Sequence, residues 1–360
     1  MQSGQPHNVL LTGASGYLGG SLFAGLKSYG LSGYDKIYAL VRSDAQKEAV
    51  QQYGAEPLSV SLKDAKAVRD VVLQNKISVV FYLIDVFEST AQENLIKALG
   101  DLRQTTGQDV HFLHTSGAKI FSSDAGAPTD RELLDTDPNL YDIQKGQKAS
   151  ANILQKAGFS TANLEHIRLA KKKLKTMGYD PTSLPHGKGA GFGNTISIQT
   201  TDIVKAAIAS GRVHSVTPDQ PTWPVCHISD NTALYLQILR SILEGKNIGH
   251  GRNGYYLAAS GSIAWDDIYA AMALALKIRG IIQDETVAPV DDIALVKMAQ
   301  GLNTDPSLVA MRVGGKCTLT AKHGGQIGWS PRFGPTHILK AADVEVEHIL
   351  RYLDHRAGKF

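Results

Sequence analysis

The sequence predicts an α/β chain built on a doubly wound parallel sheet, with a smaller mixed α/β lobe on its carboxy-terminal side. Three observations carry that prediction. An apolar run, Val9-Leu10-Leu11, enters a turn punctuated by Gly13, Gly16 and Gly19, and Leu18, Leu22, Phe23 and Leu26 follow at helical spacing. Short apolar runs then alternate with amphipathic stretches through the first half of the chain, the rhythm that a parallel sheet with crossover helices requires. Finally, 360 residues exceed one compact unit, so a second lobe is needed to bury the remainder.

The glycine turn is the first element with chemical content. Gly13 permits the sharp turn, Gly16 lets backbone N–H groups approach a pyrophosphate, and Gly19 lets the new helix lie close to the strand. The N–H groups that open the helix then suit phosphate oxygens. Thr12, Gly13, Ser15, Gly16, Tyr17, Leu18 and Gly19 are the candidate cradle of a dinucleotide. Residues 36–42 read as the second strand, whose end meets the adenosine ribose in such folds. An acid there suits the 2′-hydroxyl of NAD, and an Arg suits a 2′-phosphate. Arg42 followed by Ser43, with no acid before Asp44, favours NADP(H) over NAD(H).

The alternation continues with a helix over 45–53, a strand over 57–62, a helix over 64–74 and a strand over 78–84. A helix over 88–104 leads to a strand over 109–116, which ends in the hydroxyls of Thr115 and Ser116 at the edge where such sheets place ligands. Twenty-five residues after Ser116, Tyr141 and Lys145 open a helix behind Pro138. Four apart, they share a helix face. An ammonium beside a phenol favours the ionised phenol, which suits the pair to proton transfer.

Thr12-Gly13-x-x-Gly16-x-x-Gly19 followed by Tyr141-x-x-x-Lys145 resembles the extended short-chain dehydrogenase/reductase superfamily, relatives of nucleotide-sugar epimerases and dihydroflavonol reductases, over residues 8 to 164. The resemblance implies a Rossmann-type sheet, with Leu62, Leu83 and Ile84 walling the adenine and nicotinamide ribose and Lys145 holding that ribose. It implies Tyr141 as general acid or base, with Ser116 steadying the substrate oxygen. Many relatives read Ser-Ser where this chain has His114-Thr115-Ser116-Gly117, so Thr115 stands beside Ser116 as the alternative hydroxyl.

Residues 1–164 are thus expected to form the nucleotide domain, with a sixth strand at 159–164. Residues 165–184, carrying Arg168, Lys171, Lys172, Lys173 and Lys175, read as an extra basic helix, either a solvated insertion or a lid. The glycine-rich passage 187–194 then belongs with 165–195 as a loop over the active site. With the helix 197–210 behind it, this passage resembles fungal epimerase-like reductases of the superfamily. Residues 196–360 are expected to form mainly the substrate lobe, with a strand near 223–228 returning to the main sheet. Helices are expected at 231–244, 265–277, 336–342 and 344–353, with a strand at 254–258 and a Gly328-Trp329-Ser330-Pro331 turn similar to one in extended members.

Composition bounds the partners. A net charge of +3 is too small for a nucleic-acid surface, and no apolar run reaches the length of a membrane span. Two cysteines, Cys226 and Cys317, make no disulfide framework, and the twelve histidines form no metal-ligand pattern, so no metal and a cytoplasmic location are expected. The expected activity is NADP(H)-dependent reduction of a small-molecule carbonyl, or oxidation of the matching alcohol, by a monomer or homodimer. The alternatives are a nucleotide-sugar epimerase that keeps its cofactor and a non-catalytic NADP(H) sensor. A sugar dehydratase fits less well, because Gly117 and Ala118 stand where such enzymes place an acid.

Overall fold

β1 (His7–Leu11) is buried at every position after His7, the pattern of a strand covered on both faces. The computed structural model describes residues 5–84, 90–147, 175–180 and 183–356, and sets β1 in the interior of a seven-stranded sheet. On one side of β1 lie β2 (Tyr34–Leu40) and β3 (Glu56–Leu58). On the other lie β4 (Ile77–Tyr82), β5 (His111–Thr115), the strand Lys175–Asp180 and the edge strand Tyr256–Leu257. Every neighbouring pair is parallel.

Strand alternation sorts the core. Val9, Leu11, Val79, Phe81 and Leu113 pack under α1 (Tyr17–Leu26) and the helix Ile228–Leu243. Leu10, Val80, Tyr82 and Phe112 pack under α3 (Ala65–Gln74) and α4 (Thr90–Thr106). A separate core built around Trp223, Trp265, Tyr269 and Leu276 holds the helices Ile198–Ser210, Trp265–Ile278 and Asp292–Leu302 against the final helix Ala342–Arg356.

Two expectations change. The segment read as an extra basic helix contains the strand Lys175–Asp180, which pairs in register with His111–Thr115. Its charged ends and central glycine give it low intrinsic strand preference, so pairing with β5 decides its state. The expected strand at 159–164 lies outside the described residues.

The strand Thr222–His227 does not return to the main sheet. It pairs in parallel with Leu184–His186 and antiparallel with Gly261–Ala264 in a sheet of its own, then enters the next helix with His227 Nδ1 capping the Ser229 N–H. Its apolar pattern announces burial but carries no information about which sheet takes it. The main-sheet place goes to Tyr256–Leu257. The main sheet therefore draws on residues far beyond 164. The helix Asp292–Leu302, capped by Asp291 on the Ala294 N–H, is not among the elements expected from the sequence.

Candidate functional site

The turn between β1 and α1 meets the requirements of a phosphate cradle. Gly13 has φ +72°, and a Cβ there would stand 2.9 Å from the Leu83 carbonyl oxygen and 3.1 Å from Ile84 Cγ2. A Cβ on Gly19 would fall 2.2 Å from the Gly13 carbonyl oxygen, so only glycine lets the helix approach the turn. The Gly16 N–H donates to Gly13 O at 2.8 Å. Gly16 caps α1 with no side chain, and no acidic residue stands in the first turn. The helix thus presents uncapped N–H groups and its positive end to an anion, the fit that a pyrophosphate requires.

The other cradle candidates divide by role. Thr12 is fully buried and holds β1 to β4: its hydroxyl donates to Phe81 O at 3.3 Å and accepts from the Leu83 N–H at 2.8 Å. Tyr17 is buried and its hydroxyl donates to Gly187 O at 2.6 Å. Leu18 is half-buried. Ser15 Oγ accepts from Gln46 Nε2 at 3.2 Å, while Gln46 Oε1 accepts from the Arg42 N–H at 2.8 Å. Gln46, which sequence reasoning passed over, therefore ties the glycine turn to the end of β2. Ser43 caps α2 (Asp44–Gln52) by accepting from the Gln46 N–H. The Arg42 side chain is exposed and has no ion pair among the described residues. Leu83 and Ile84 face Gly13, with Ile84 47% exposed, whereas Leu62 is buried under α3 and α4 and its carbonyl accepts from Asn94 Nδ2.

The glycine-rich passage 187–194 seats on this turn. The Asn194 N–H donates to Ser15 O at 2.8 Å, and the Ala190 N–H donates to Ser21 Oγ at 3.2 Å. Gly20 and Gly191 are in backbone contact, because a Cβ on Gly191 would lie 2.5 Å from Gly20 Cα. The root of the passage is held by Glu345, which accepts from the Gly187 N–H at 2.9 Å and the Thr200 hydroxyl at 2.8 Å. Burial pushes the Glu345 carboxyl up, and these two bonds pull it back. Beside it, His186, His227 and His337 pack ring against ring. Burial and the two neighbouring imidazoles lower His186 to about 3, so its ring is neutral near pH 7.

The residues expected to do chemistry sit at the end of β5 and on the helix Leu140–Gly146. Thr115 ends β5 buried, and its hydroxyl shares a 2.7 Å hydrogen bond with the Tyr235 hydroxyl. Ser116 follows half-buried at the carboxyl edge. On α5 (Leu140–Gly146), Tyr141 is 7% exposed and lies in the core of the second lobe, while Lys145 is exposed. Arg252 stands on the Tyr141 ring, its guanidinium carbon 4.7 Å from the ring centroid, and also pairs with Asp142. Nothing near Arg252 in the sequence announces it, since the contact joins positions over a hundred residues apart. Asp135, also missed, accepts from the N–H groups of Lys322, His323 and Leu257 at 2.7, 2.9 and 2.9 Å, joining α5's approach to the far lobe. Its burial raises the carboxyl against those three bonds. No metal-ligand cluster is present among the described residues.

No protein-family model matches the chain, and no curated protein matches it in sequence. Solved structures match it over nearly its whole length. An apo monomeric L-threonine 3-dehydrogenase from a metagenome is 15% identical, covering 95% of this chain and 99% of its own, with a TM-score of 0.54. The Bordetella bronchiseptica enzyme WbmH, in complex with NAD+, is 12% identical over 96% and 99%, with a TM-score of 0.58. A UDP-glucose 4-epimerase from Thermotoga maritima, with UDP-glucose, is 14% identical over 96% and 99%, with a TM-score of 0.59. The chain shares the fold of these dehydrogenase and epimerase structures, a parallel sheet flanked by helices. In open α/β sheets of this kind ligands bind outside the carboxyl ends of the strands. The glycine turn, Leu83, Ile84, Thr115 and Ser116 all stand at that edge. Among the described residues no helix is long and apolar enough to cross a membrane.

Proposed function

We propose that the chain is a nicotinamide-dependent oxidoreductase that interconverts a carbonyl and an alcohol in a small molecule, with NADP(H) as its cofactor. The observation that carries this reading is the uncapped start of α1, framed by glycines that admit no Cβ and placed at the carboxyl edge beside Thr115 and Ser116. The residues that hold the dinucleotide are Gly13, Ser15, Gly16, Leu18 and Gly19 at the phosphates and Leu83 and Ile84 beside them. Arg42, exposed and without an ion pair among the described residues, takes the 2′-phosphate. Thr12 and Tyr17 shape the cradle from behind. A bound nicotinamide supplies or accepts the hydride.

In the reductive direction Ser116 donates its hydroxyl proton in a hydrogen bond to the substrate oxygen, which steadies the charge that develops there. Tyr141 delivers the proton that completes the alcohol, and Lys145 supports it and holds the ribose. Arg252 keeps the Tyr141 ring in place from its outer face.

The test is direct. NADPH should bind the purified chain, seen as a fluorescence change, and should be consumed when a panel of small carbonyl compounds is added. Tyr141→Phe keeps the ring and its packing, so cofactor affinity should persist while kcat falls ~10²- to 10⁴-fold. Cofactor that stays bound through gel filtration, with no net consumption on carbonyls, would move the assignment to an epimerase. Binding without any turnover in wild type would leave a sensor.

A further inference from the structure

A glutamine at the third position of a helix ordinarily completes a capping box, its side chain turning back to the N–H of the capping residue. Gln46 stands at that place in α2 behind Ser43, whose hydroxyl oxygen accepts from the Gln46 N–H at 3.3 Å. Its side chain goes elsewhere. Oε1 reaches past Ser43 and accepts from the Arg42 N–H at 2.8 Å, while Nε2 leaves the helix and donates to Ser15 Oγ in the glycine turn at 3.2 Å.

The partners fix which way the amide points. A backbone N–H can only donate, so the atom facing Arg42 is the carbonyl oxygen and the atom facing Ser15 is the NH2 group. The Ser15 oxygen is the acceptor in that contact, and its own proton is left for another acceptor. Ser15 is held from a second side: the Asn194 N–H donates to its carbonyl at 2.8 Å, and a Cβ on Gly193 would fall 2.2 Å from that carbonyl oxygen. The chain before Arg42 is pinned as well, because the Val41 N–H donates to Leu58 O at 2.9 Å and Val41 O accepts from Ser59 Oγ at 3.2 Å. A half-buried amide thus spans two fixed points, the phosphate cradle and the root of an exposed arginine.

We propose that Gln46 is the positioning residue that sets the choice of NADP(H) over NAD(H), by aiming the Ser15 hydroxyl proton and the Arg42 main chain at the 2′-phosphate of the bound dinucleotide. A phosphate dianion offers only acceptors, so it is matched by a corner made of donors. Ser15 Oγ–H and the Arg42 guanidinium supply them, and the nearest acid along the chain, Asp44, is occupied by Lys47 at 2.8 Å. A 2′-hydroxyl gains instead from an acid that accepts its proton. The neutral amide is what keeps this corner rich in donors. A carboxylate of the same shape would retain the bond from the Arg42 N–H, but its second oxygen would take the Ser15 proton for itself and repel a phosphate.

This inference rests on the nicotinamide-dependent reading, and the experiment separates the two. The full-length chain and its variants are titrated with NADPH and with NADH by fluorescence. Gln46→Glu should weaken NADPH by about 10- to 100-fold while NADH stays within about threefold of wild type or tightens, so that selectivity falls at least about tenfold. Glutamate suits the first turn of a helix, so the melting temperature should hold, which separates lost selectivity from lost fold. Gln46→Ala should weaken NADPH by about 3- to 10-fold, the scale of a neutral hydrogen bond, and should cost clearly less when Ser15 is already alanine. A glutamine that only braced the fold would weaken both cofactors alike and add its full cost to Ser15→Ala. Equal losses of NADPH and NADH in Gln46→Glu, no loss of either, or a wild type that binds both equally would overturn the role of Gln46 and leave a nicotinamide-binding protein in place. A wild-type chain that binds neither cofactor would remove the nicotinamide reading itself.

Discussion

The glycine turn before α1 and the side chains around Lys119 both leave polar groups without protein partners among the described residues, and they do so by opposite means. In the cradle the free groups are backbone amides, exposed because Gly13, Gly16 and Gly19 carry no side chain and fall within one short stretch. In the cluster they are side chains of Lys119, Asp124, Trp223 and Thr318, drawn from positions nearly 200 residues apart. A site made of backbone depends on missing atoms, so a single methyl group destroys it. A group of side chains drawn from distant segments depends on their convergence, and removing one changes the charge balance around the others.

Gly19→Ala breaks that comparison hardest. Its Cβ has no room against the Gly13 carbonyl, where the gap would be 2.2 Å, and the carbonyl belongs to a turn already held by Gly16 and Leu83. NADPH affinity should fall by about 100-fold or more, with a loss of roughly 1 to 3 kcal/mol in denaturant unfolding. A Gly19→Ala variant that binds NADPH like wild type would show that the cradle is not where the phosphates sit.

Arg42→Asp is a milder case, since Arg42 is exposed and stands outside the glycine turn. The variant should weaken NADPH by about 10- to 100-fold, corresponding to ~1.5 to 3 kcal/mol for a charge-assisted contact, and weaken NADH far less. Equal losses in a fluorescence titration would show that Arg42 does not read the 2′-phosphate.

The smallest effect is a pH dependence of stability. Burial lowers the Lys119 amine to about 8, opposed by the charges of Asp124, Cys317 and Asp202, while the unfolded chain has the ordinary lysine value of 10.5. Below pH 8 both states hold the proton and the burial penalty is present in full. Between about 8 and 10.5 the unfolded state binds more protons, so Lys119 makes stability rise with pH. Lys119→Met should flatten that rise in urea melts taken from about pH 7.5 to 9.5, and an unchanged slope would place the amine in a solvated environment.

The sequence by itself determined the cradle and the sheet around it. Gly13, Gly16 and Gly19, the apolar strands and the helices between them are local patterns, and local patterns specify backbone conformation and burial without reference to distant residues. Ser43, Asp64 and the apolar stripe of α1 likewise state their roles within a few positions.

Only the tertiary structure decided which strand neighbours which. Thr222–His227 reads as a buried strand in any sheet, and Lys175–Asp180 reads as no strand at all until β5 lies beside it. Only the tertiary structure buried Tyr141 while leaving Lys145, one turn on, exposed, and put Arg252 on the Tyr141 ring. The same holds for Asp135, Glu345 and Lys119. Whether a carboxylate or an amine is paired, saturated or left open depends on groups brought to it from over a hundred residues away, and no periodicity in the chain records that meeting.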